Sequence, residues 1–289
     1  MPRPFIGFCL VLIISVGCFA QPLLGGVGRL RVEVVERGSR RPVPCRGWVD
    51  SYGNRLFEPE STGSLPYKKD RSFACAGTFQ MEVPVGAVTI HVERGKEYVP
   101  VDRIVDVEEG ENQVVRIELH RWTDMAKRGW FSADLHVHFS NDDIAGLKLL
   151  SQADDVNFLP SFSYWNRFEK QWPDFGGTPN VFADPNHLVT RRNEEIERIG
   201  GDPFHSVDAL FIFGLEKPIY VPRHTKTFPA SAVLARAAKK TSPNCIIDTD
   251  KPLWAENVVT MGLGLFDSVQ VVHNHYHREV TLEIGRAHV

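Results

Sequence analysis

The chain has 289 residues and a formal net charge of −3, with 33 Lys and Arg against 36 Asp and Glu and no basic cluster. Phosphate backbones are held by concentrated Lys/Arg surfaces, so the charge pattern argues against nucleic acid as the main partner. Beyond the first twenty residues no segment is apolar enough to span a bilayer.

Residues 1–20 read as a secretory signal: a short basic start at Arg3, an apolar run from Phe5 and small residues near Ala20, so that cleavage leaves Gln21 first. The run is short for a full span of about 20 residues. A lipid-anchor reading at Ser15-Val16-Gly17-Cys18 is weaker, because an aliphatic residue is usual where Ser15 stands. A soluble protein exported across a bacterial inner membrane, periplasmic or extracellular, is therefore expected. Of five cysteines, Cys9 and Cys18 fall in the signal. Cys45 and Cys75 lie in one predicted β-domain and can pair in an oxidising compartment, while Cys245 sits in an apolar strand pattern as a buried thiol.

From 26 to 121 the sequence alternates short strands, at 30–35, 48–52, 78–83, 88–93 and 113–119, with turn signals such as Gly38-Ser39-Arg40-Arg41-Pro42 and Pro84-Val85-Gly86. Alternation is clearest in Leu30-Arg31-Val32-Glu33-Val34, and a small β-sandwich follows. After Trp122 the rhythm changes. Strands are predicted at 131–137, 156–159, 209–214, 245–248 and 266–272, with helices from an Asp142-Asp143 cap to Ala153, over 230–240 and over 254–261. Repeated βα units imply a parallel sheet or barrel over 122–282, with its chemistry at the carboxyl ends of the strands.

Trp130-Phe131-Ser132-Ala133-Asp134-Leu135-His136-Val137-His138 is the most informative stretch. On a strand Asp134, His136 and His138 share one face. Two imidazoles at one strand end can bind one cation, and an in-line carboxylate can orient an imidazole or ligate a second ion. A solvated histidine pair on an edge strand is the competing reading, and the in-phase Asp entering a βα pattern favours ligation.

This stretch resembles the Asp-x-His-x-His opening of the polymerase and histidinol phosphatase (PHP) metallohydrolases, and in particular the secreted CehA/McbA-like branch, over about residues 31–278. The preceding β-domain resembles carboxypeptidase-regulatory or transthyretin-like modules, through Arg40-Arg41-Pro42-Val43-Pro44 and Pro84-Val85-Gly86-Ala87. The resemblance implies a distorted (βα) barrel of PHP type. It implies a bridging Glu195, with Glu197 as understudy, in Asn193-Glu194-Glu195-Ile196-Glu197, and a ligand at His205, although the charge pattern of that run fits a solvated helix end equally well. It also implies Asp267 at a strand start and Asn274-His275 at its end, with His273 and His277 in phase. Asp248 ends a strand where it can face the site, while Asp250 and Lys251 can simply pair with each other in a turn. The implied metal set is Asp134, His136, His138, Glu195, His205, Asp267 and His275, and the catalytic subset is His136, His138, Glu195, His205 and His275.

Mixed His and carboxylate donors suit Zn²⁺, Mn²⁺ or Fe²⁺. Such an ion lowers the pKa of its water to about 7, so hydrolysis of a small-molecule ester, carbamate or phosphoester is the implied reaction. No Gly-x-Ser-x-Gly elbow, phosphate-binding loop or dinucleotide fingerprint competes. One departure bears on the site: Phe162-Ser163-Tyr164-Trp165-Asn166 stands where many PHP enzymes have Thr-Asp-His. A one- or two-metal centre is expected in place of three. The departure also keeps open a second class, an exported metal-binding scaffold without catalysis.

Residues 122–289, 168 in all, are few for a barrel that commonly needs about 250. Glu283-Ile284-Gly285-Arg286-Ala287-His288-Val289 reads as an in-frame translation of a common sequencing adapter, so residues 283–289 are expected to be a non-native tail on a partial, C-terminally truncated domain of low solubility and activity.

Overall fold

The computed structural model describes residues 26–51, 54–55, 59–60, 64–66, 72–139, 143–165, 180–200, 205–219, 229–249, 251 and 255–270. Of residues 54–55, 64–66, 164–165, 180, 197–200, 205–208 and 255 the backbone alone is described. The expected signal segment, Asp142, Asn166, Asp250, the cluster from His273 to His277 and the 283–289 tail lie outside these residues.

Ten strands build the first unit: β1 Val27–Glu36, β2 Cys45–Ser51, β3 Asn54–Arg55, β4 Ser64–Pro66, β5 Phe73–Cys75, β6 Thr78–Pro84, β7 Gly86–Glu93, β8 Tyr98–Val99, β9 Val101–Val107 and β10 Asn112–Arg121. They form two sheets, ordered β6-β1-β10-β8 and β4-β5-β2-β7-β9, with β3 paired to β2. Period-two burial is clearest in three strands: Leu30, Val32 and Val34 of β1, Val88, Ile90 and Val92 of β7, and Val115, Ile117 and Leu119 of β10 point into one core. At about 25 cal/mol per Å² each such aliphatic side chain contributes on the order of 2 kcal/mol, which makes this alternation the main reason for the sandwich. Gly86, at φ 109°, turns the chain from one sheet to the other in a conformation that side chains with a Cβ resist. The β1–β10 pairing is parallel, a feature that strand periodicity does not encode.

The second unit contains α1 Ile144–Ala153, β11 Phe158–Trp165, β12 Asn180–Ala183, β13 Leu188–Gly200, β14 His205–Phe213, α2 Ser231–Thr241, β15 Ile246–Thr249, α3 Ala255–Gly262 and β16 Ser268–Val269. Asp143 caps α1, accepting from the Gly146 N–H at 2.8 Å. The sheet runs β11-β13-β14-β15-β16, with β12 on β13. It is mixed, not the parallel sheet expected: β11–β13 and β15–β16 are parallel, whereas β13–β14 and β14–β15 are antiparallel. Among the described residues it is open, with no closed barrel. The physical reason lies in β13, whose charged Arg191-Arg192-Asn193-Glu194-Glu195 run looks like a solvated helix end but forms a long strand pairing antiparallel with the apolar β14.

β14 is apolar on both faces because both are covered. Leu210 and Ile212 face α2, packing with Ile196, Ile247, Leu234 and Ala235. Phe211 and Phe213 face the other way, against Phe162 and Leu135. A third cluster crosses between the two units, where Ala74 of β5 meets Val137, Leu147, Leu150 and Leu159. Among the described residues no helix is long and apolar enough to cross a membrane.

Ions also tie the units together. Asp155 bonds Arg94 Nη2 at 2.8 Å and Arg121 Nη2 at 2.6 Å. Across Asp155 lies His187, with Nε2 at 3.8 Å, and His187 Nδ1 is itself 3.0 Å from Asp184. Burial alone would raise the Asp155 carboxyl, but His187, Arg94 and Arg121 outweigh it and hold it below the usual carboxylate range. Burial alone would lower His187, but Asp155 and Asp184 outweigh it and hold the imidazole above its usual value. The depressed Asp155 contributes stability above its unfolded pKa of about 3.9 that is lost as pH falls through the lower folded value. The raised His187 contributes stability below its unfolded pKa of about 6.5 that is lost as pH rises through the higher folded value. The expected outcome is that a His187→Gln variant loses most melting temperature relative to wild type between about pH 4 and 6.5, with the gap closing at alkaline pH. A gap that stays constant from acid to alkali would remove His187 from this role.

Candidate metal centre

Three of the residues singled out above converge in space. The donor atoms of His136, His138 and Glu195 lie within 4.8 Å of one another, and among the described residues no other such group occurs. His136 Nε2 is 3.1 Å from His138 Nε2. Glu195 Oε2 is 2.6 Å from His138 Nε2 and 3.6 Å from His136 Nε2.

Each donor is positioned by a distinct local feature. The segment carrying the histidines is not the regular strand expected over 131–137. It is an extended run that touches β11 only through parallel bridges, Ala133 to Phe158 and Val137 to Ser161. Period two survives at its end, so Val137 is buried while His136 and His138 turn together toward Glu195. Asp134 stays exposed and does not join them: its Oδ1 accepts from the His136 N–H at 3.1 Å, bracing the backbone that leads into the first histidine. Glu195 lies in mid-strand on β13, not at a carboxyl end, directly opposite Phe211 of β14. Phe211 is in turn opposite Asp248 of β15, so Glu195, Phe211 and Asp248 share one row and one face.

The aromatic wall behind the donors was not singled out in the sequence. Phe211 meets the His136 ring edge-on at 4.7 Å between centroids, and Phe162 lies 5.3 Å from the His138 ring. The alternation Phe211-Ile212-Phe213 carries the signal that could have found it, since both rings must share a face.

Do these residues suit a cation? Donors about 2.05 Å from a tetrahedral ion are separated by about 3.3 Å, and the three observed separations bracket that value. Glu195 is 1% exposed, and its Oε2 is turned toward the two imidazoles. An oxygen so placed is ready to accept a cation. Burial pushes the Glu195 carboxyl up, but His136 and His138 more than reverse this and hold it down to about 2, so it is anionic at any physiological pH. The histidine side chains are 36% and 40% exposed, which leaves the open side of the triad facing solvent. The donor set fits a divalent ion.

Other expected ligands lie elsewhere. Asp267 accepts from Lys239 Nζ at 2.6 Å and from the Ile247 N–H at 2.7 Å, tying β16 to α2 and β15 instead of joining the triad. Burial would raise its carboxyl, and these two donors outweigh that and lower it. His205 opens β14 opposite Gly200, six positions from Phe211, which is roughly 20 Å of strand. Asp248 is buried and accepts from the Ser268 hydroxyl. Cys245 is buried, and burial pushes its thiol up, which disfavours it as a nucleophile. His275 and Asn274 lie outside the described residues.

No family model matches the sequence, and no curated protein matches it. Among solved structures, the chain is similar to the TIE protein of Bacillus anthracis, at 14% identity and TM-score 0.25 over 33% of this chain and 17% of that one. It is also similar to GBS52, the minor pilin of Streptococcus agalactiae, at 14% identity and TM-score 0.27 over 35% of this chain and 47% of that one. The chain thus spans less than half the length of either.

Proposed function

We propose that this protein is an exported metal-dependent hydrolase of PHP type, acting on a small-molecule ester, carbamate or phosphoester, with His136, His138 and Glu195 holding a Zn²⁺, Mn²⁺ or Fe²⁺ ion. One observation carries the reading: three donors converge at tetrahedral ligand spacing on a solvent-facing side. Structural zinc sites are closed by four protein ligands, whereas catalytic sites keep three and leave a position for water or substrate. A divalent ion there supplies Lewis acidity and a water acidic enough to attack near neutral pH.

The chain's own residues do the rest. Glu195 contributes the negative charge that retains the cation, and its burial in β13 fixes that charge in place. Asp134 holds the backbone leading into His136. Phe162 and Phe211 exclude water from the back of the site and restrict both histidine rings. The sandwich and the mixed sheet are read here as a regulatory-like module and part of a distorted PHP barrel. The second reading, a metal-binding scaffold without catalysis, is favoured by Asp267, whose carboxylate is committed to Lys239 and Ile247 and so adds nothing to a second ion.

The test is metal analysis of the full chain together with a screen of nitrophenyl acetate, nitrophenyl phosphate and bis-nitrophenyl phosphate. Turnover that disappears on chelation and returns with Zn²⁺ or Mn²⁺ is the expected result. Tight metal binding with no turnover on any of the three would select the scaffold.

A further inference from the structure

We propose that the β-sandwich positions the histidine-bearing segment of the second unit, with Arg94 and Asp155 as positioning residues for His136 and His138. The metal part of this inference rests on the reading of that pair as ligands; the positioning part does not.

Three arginines from separate parts of the sandwich meet one turn. Arg46 of β2 reaches Asp154 at 2.8 Å, while Arg94, after β7, and Arg121, ending β10, take one oxygen each of Asp155 at 2.8 and 2.6 Å. The Arg94 and Asp155 side chains are 9% and 8% exposed. Gly95 brings the two backbones into contact: a Cβ there would stand 2.5 Å from the Asp154 carbonyl oxygen. Asp155 itself adopts φ 50°, a left-handed conformation that non-glycine residues hold only when their surroundings impose it.

That conformation is connected to the ligands by hydrogen bonds. The Ser132 hydroxyl donates to the Asp155 carbonyl at 3.1 Å, and the Ser132 N–H donates to Asn157 Oδ1 at 2.9 Å. The Phe158 N–H then donates to the Ser132 carbonyl at 2.9 Å, and the Asp134 N–H to the Phe158 carbonyl at 3.1 Å. His136 follows two residues on. The segment meets β11 at two bridges and not in a continuous ladder; the Phe162 N–H also donates to the Val137 carbonyl at 2.9 Å, so the Ser132 end fixes where the segment starts and Val137 holds the stretch between the histidines.

Stability alone is a poor explanation for this arrangement. Desolvating two guanidinium groups and a carboxylate offsets most of their attraction, and apolar side chains of similar volume often stabilise as well or better. A doubly held carboxylate does fix one backbone geometry, because each Asp155 oxygen has its own donor on a different part of the sandwich. The geometry therefore points to placement of Ser132, and through it of the two imidazoles.

Hydrogen exchange of the metal-free full chain tests the positioning directly. In Asp155→Asn, which tolerates the left-handed backbone but loses the charge, and in Arg94→Lys, which loses the forked donor, exchange across 132–138 is expected to rise by about tenfold or more while β1 keeps its protection. The same variants should bind Zn²⁺ about 10- to 100-fold more weakly in chelator competition, the range found when groups supporting metal ligands are lost. Arg116→Ala, at an exposed pair with Glu118, should change neither readout. Unchanged exchange at 132–138 in variants with a lower melting temperature overturns the proposal and leaves the ion pairs as glue between units. If Asp155→Asn does not fold, Arg94→Lys decides. If replacing both histidines leaves Zn²⁺ binding intact, the metal reading fails separately, and the exchange result still stands or falls by itself.

Discussion

Replacing His136 and His138 together with alanine is expected to abolish tight divalent-metal binding by the full chain. Structural zinc sites with four ligands bind with about 10–16 kcal/mol, so each donor accounts for roughly 3 kcal/mol, and losing two weakens binding by about 10⁴-fold. In this site the loss is more severe than in a four-ligand centre, because Glu195 is left as the single donor of the triad. Glu195→Gln keeps both imidazoles and the side-chain volume, and removes the anion that the site holds down to about 2. It should therefore retain weak binding, intermediate between wild type and the double variant. Elemental analysis after dialysis, with chelator competition for affinity, measures both. Unchanged stoichiometry in the double variant would sink the assignment of the site.

The histidine pair was legible because its geometry is local: two residues apart, extended, and so on one side of the chain. Glu195 was legible only through the resemblance of the Asn193 to Glu197 run, because charge pattern alone fits a solvated helix end equally well. What hid β13 was its composition. Buried carboxylates in a central strand are rare, and Glu194 and Glu195 are 0% and 1% exposed. The expectation of a parallel sheet came from the repeated strand and helix rhythm after Trp122, which does not reveal that the long strand β13 pairs antiparallel with β14.

The helices at α1, α2 and α3 and the strand cores at β1, β7, β10 and β14 follow period signals closely, and α1 also follows its Asp143 cap. Long-range ion pairs do not. Lys239 and Asp267 are 28 residues apart, and Arg94 and Asp155 are 61 apart. Nothing in either neighbourhood distinguishes a partnered Asp from a metal-ligating one. For that reason Asp267 was expected in the site and Asp155 was passed over.

Exported, oxidised protein is expected to carry a Cys45–Cys75 disulfide whose removal lowers the unfolding free energy by about 3–4 kcal/mol. The two residues are direct cross-strand partners on β2 and β5, both buried, with sulfurs 3.5 Å apart. Cross-linking residues 30 apart removes loop-closure entropy from the unfolded chain worth roughly 3.6 kcal/mol at 25 °C. The two thiols are unequal: the hydrogen bond from Cys45 and the N–H groups of Gly77 and Thr78 draw Cys75 down, while its contact with Cys75 and its own burial push Cys45 up. Because Ala74, next to Cys75 on β5, packs against α1, the cross-link would also stiffen the seam between the two units. Non-reducing mass spectrometry of protein collected after export should show the loss of two hydrogens, a Cys45–Cys75 peptide and a free Cys245. Two free thiols in that sample would reject the disulfide.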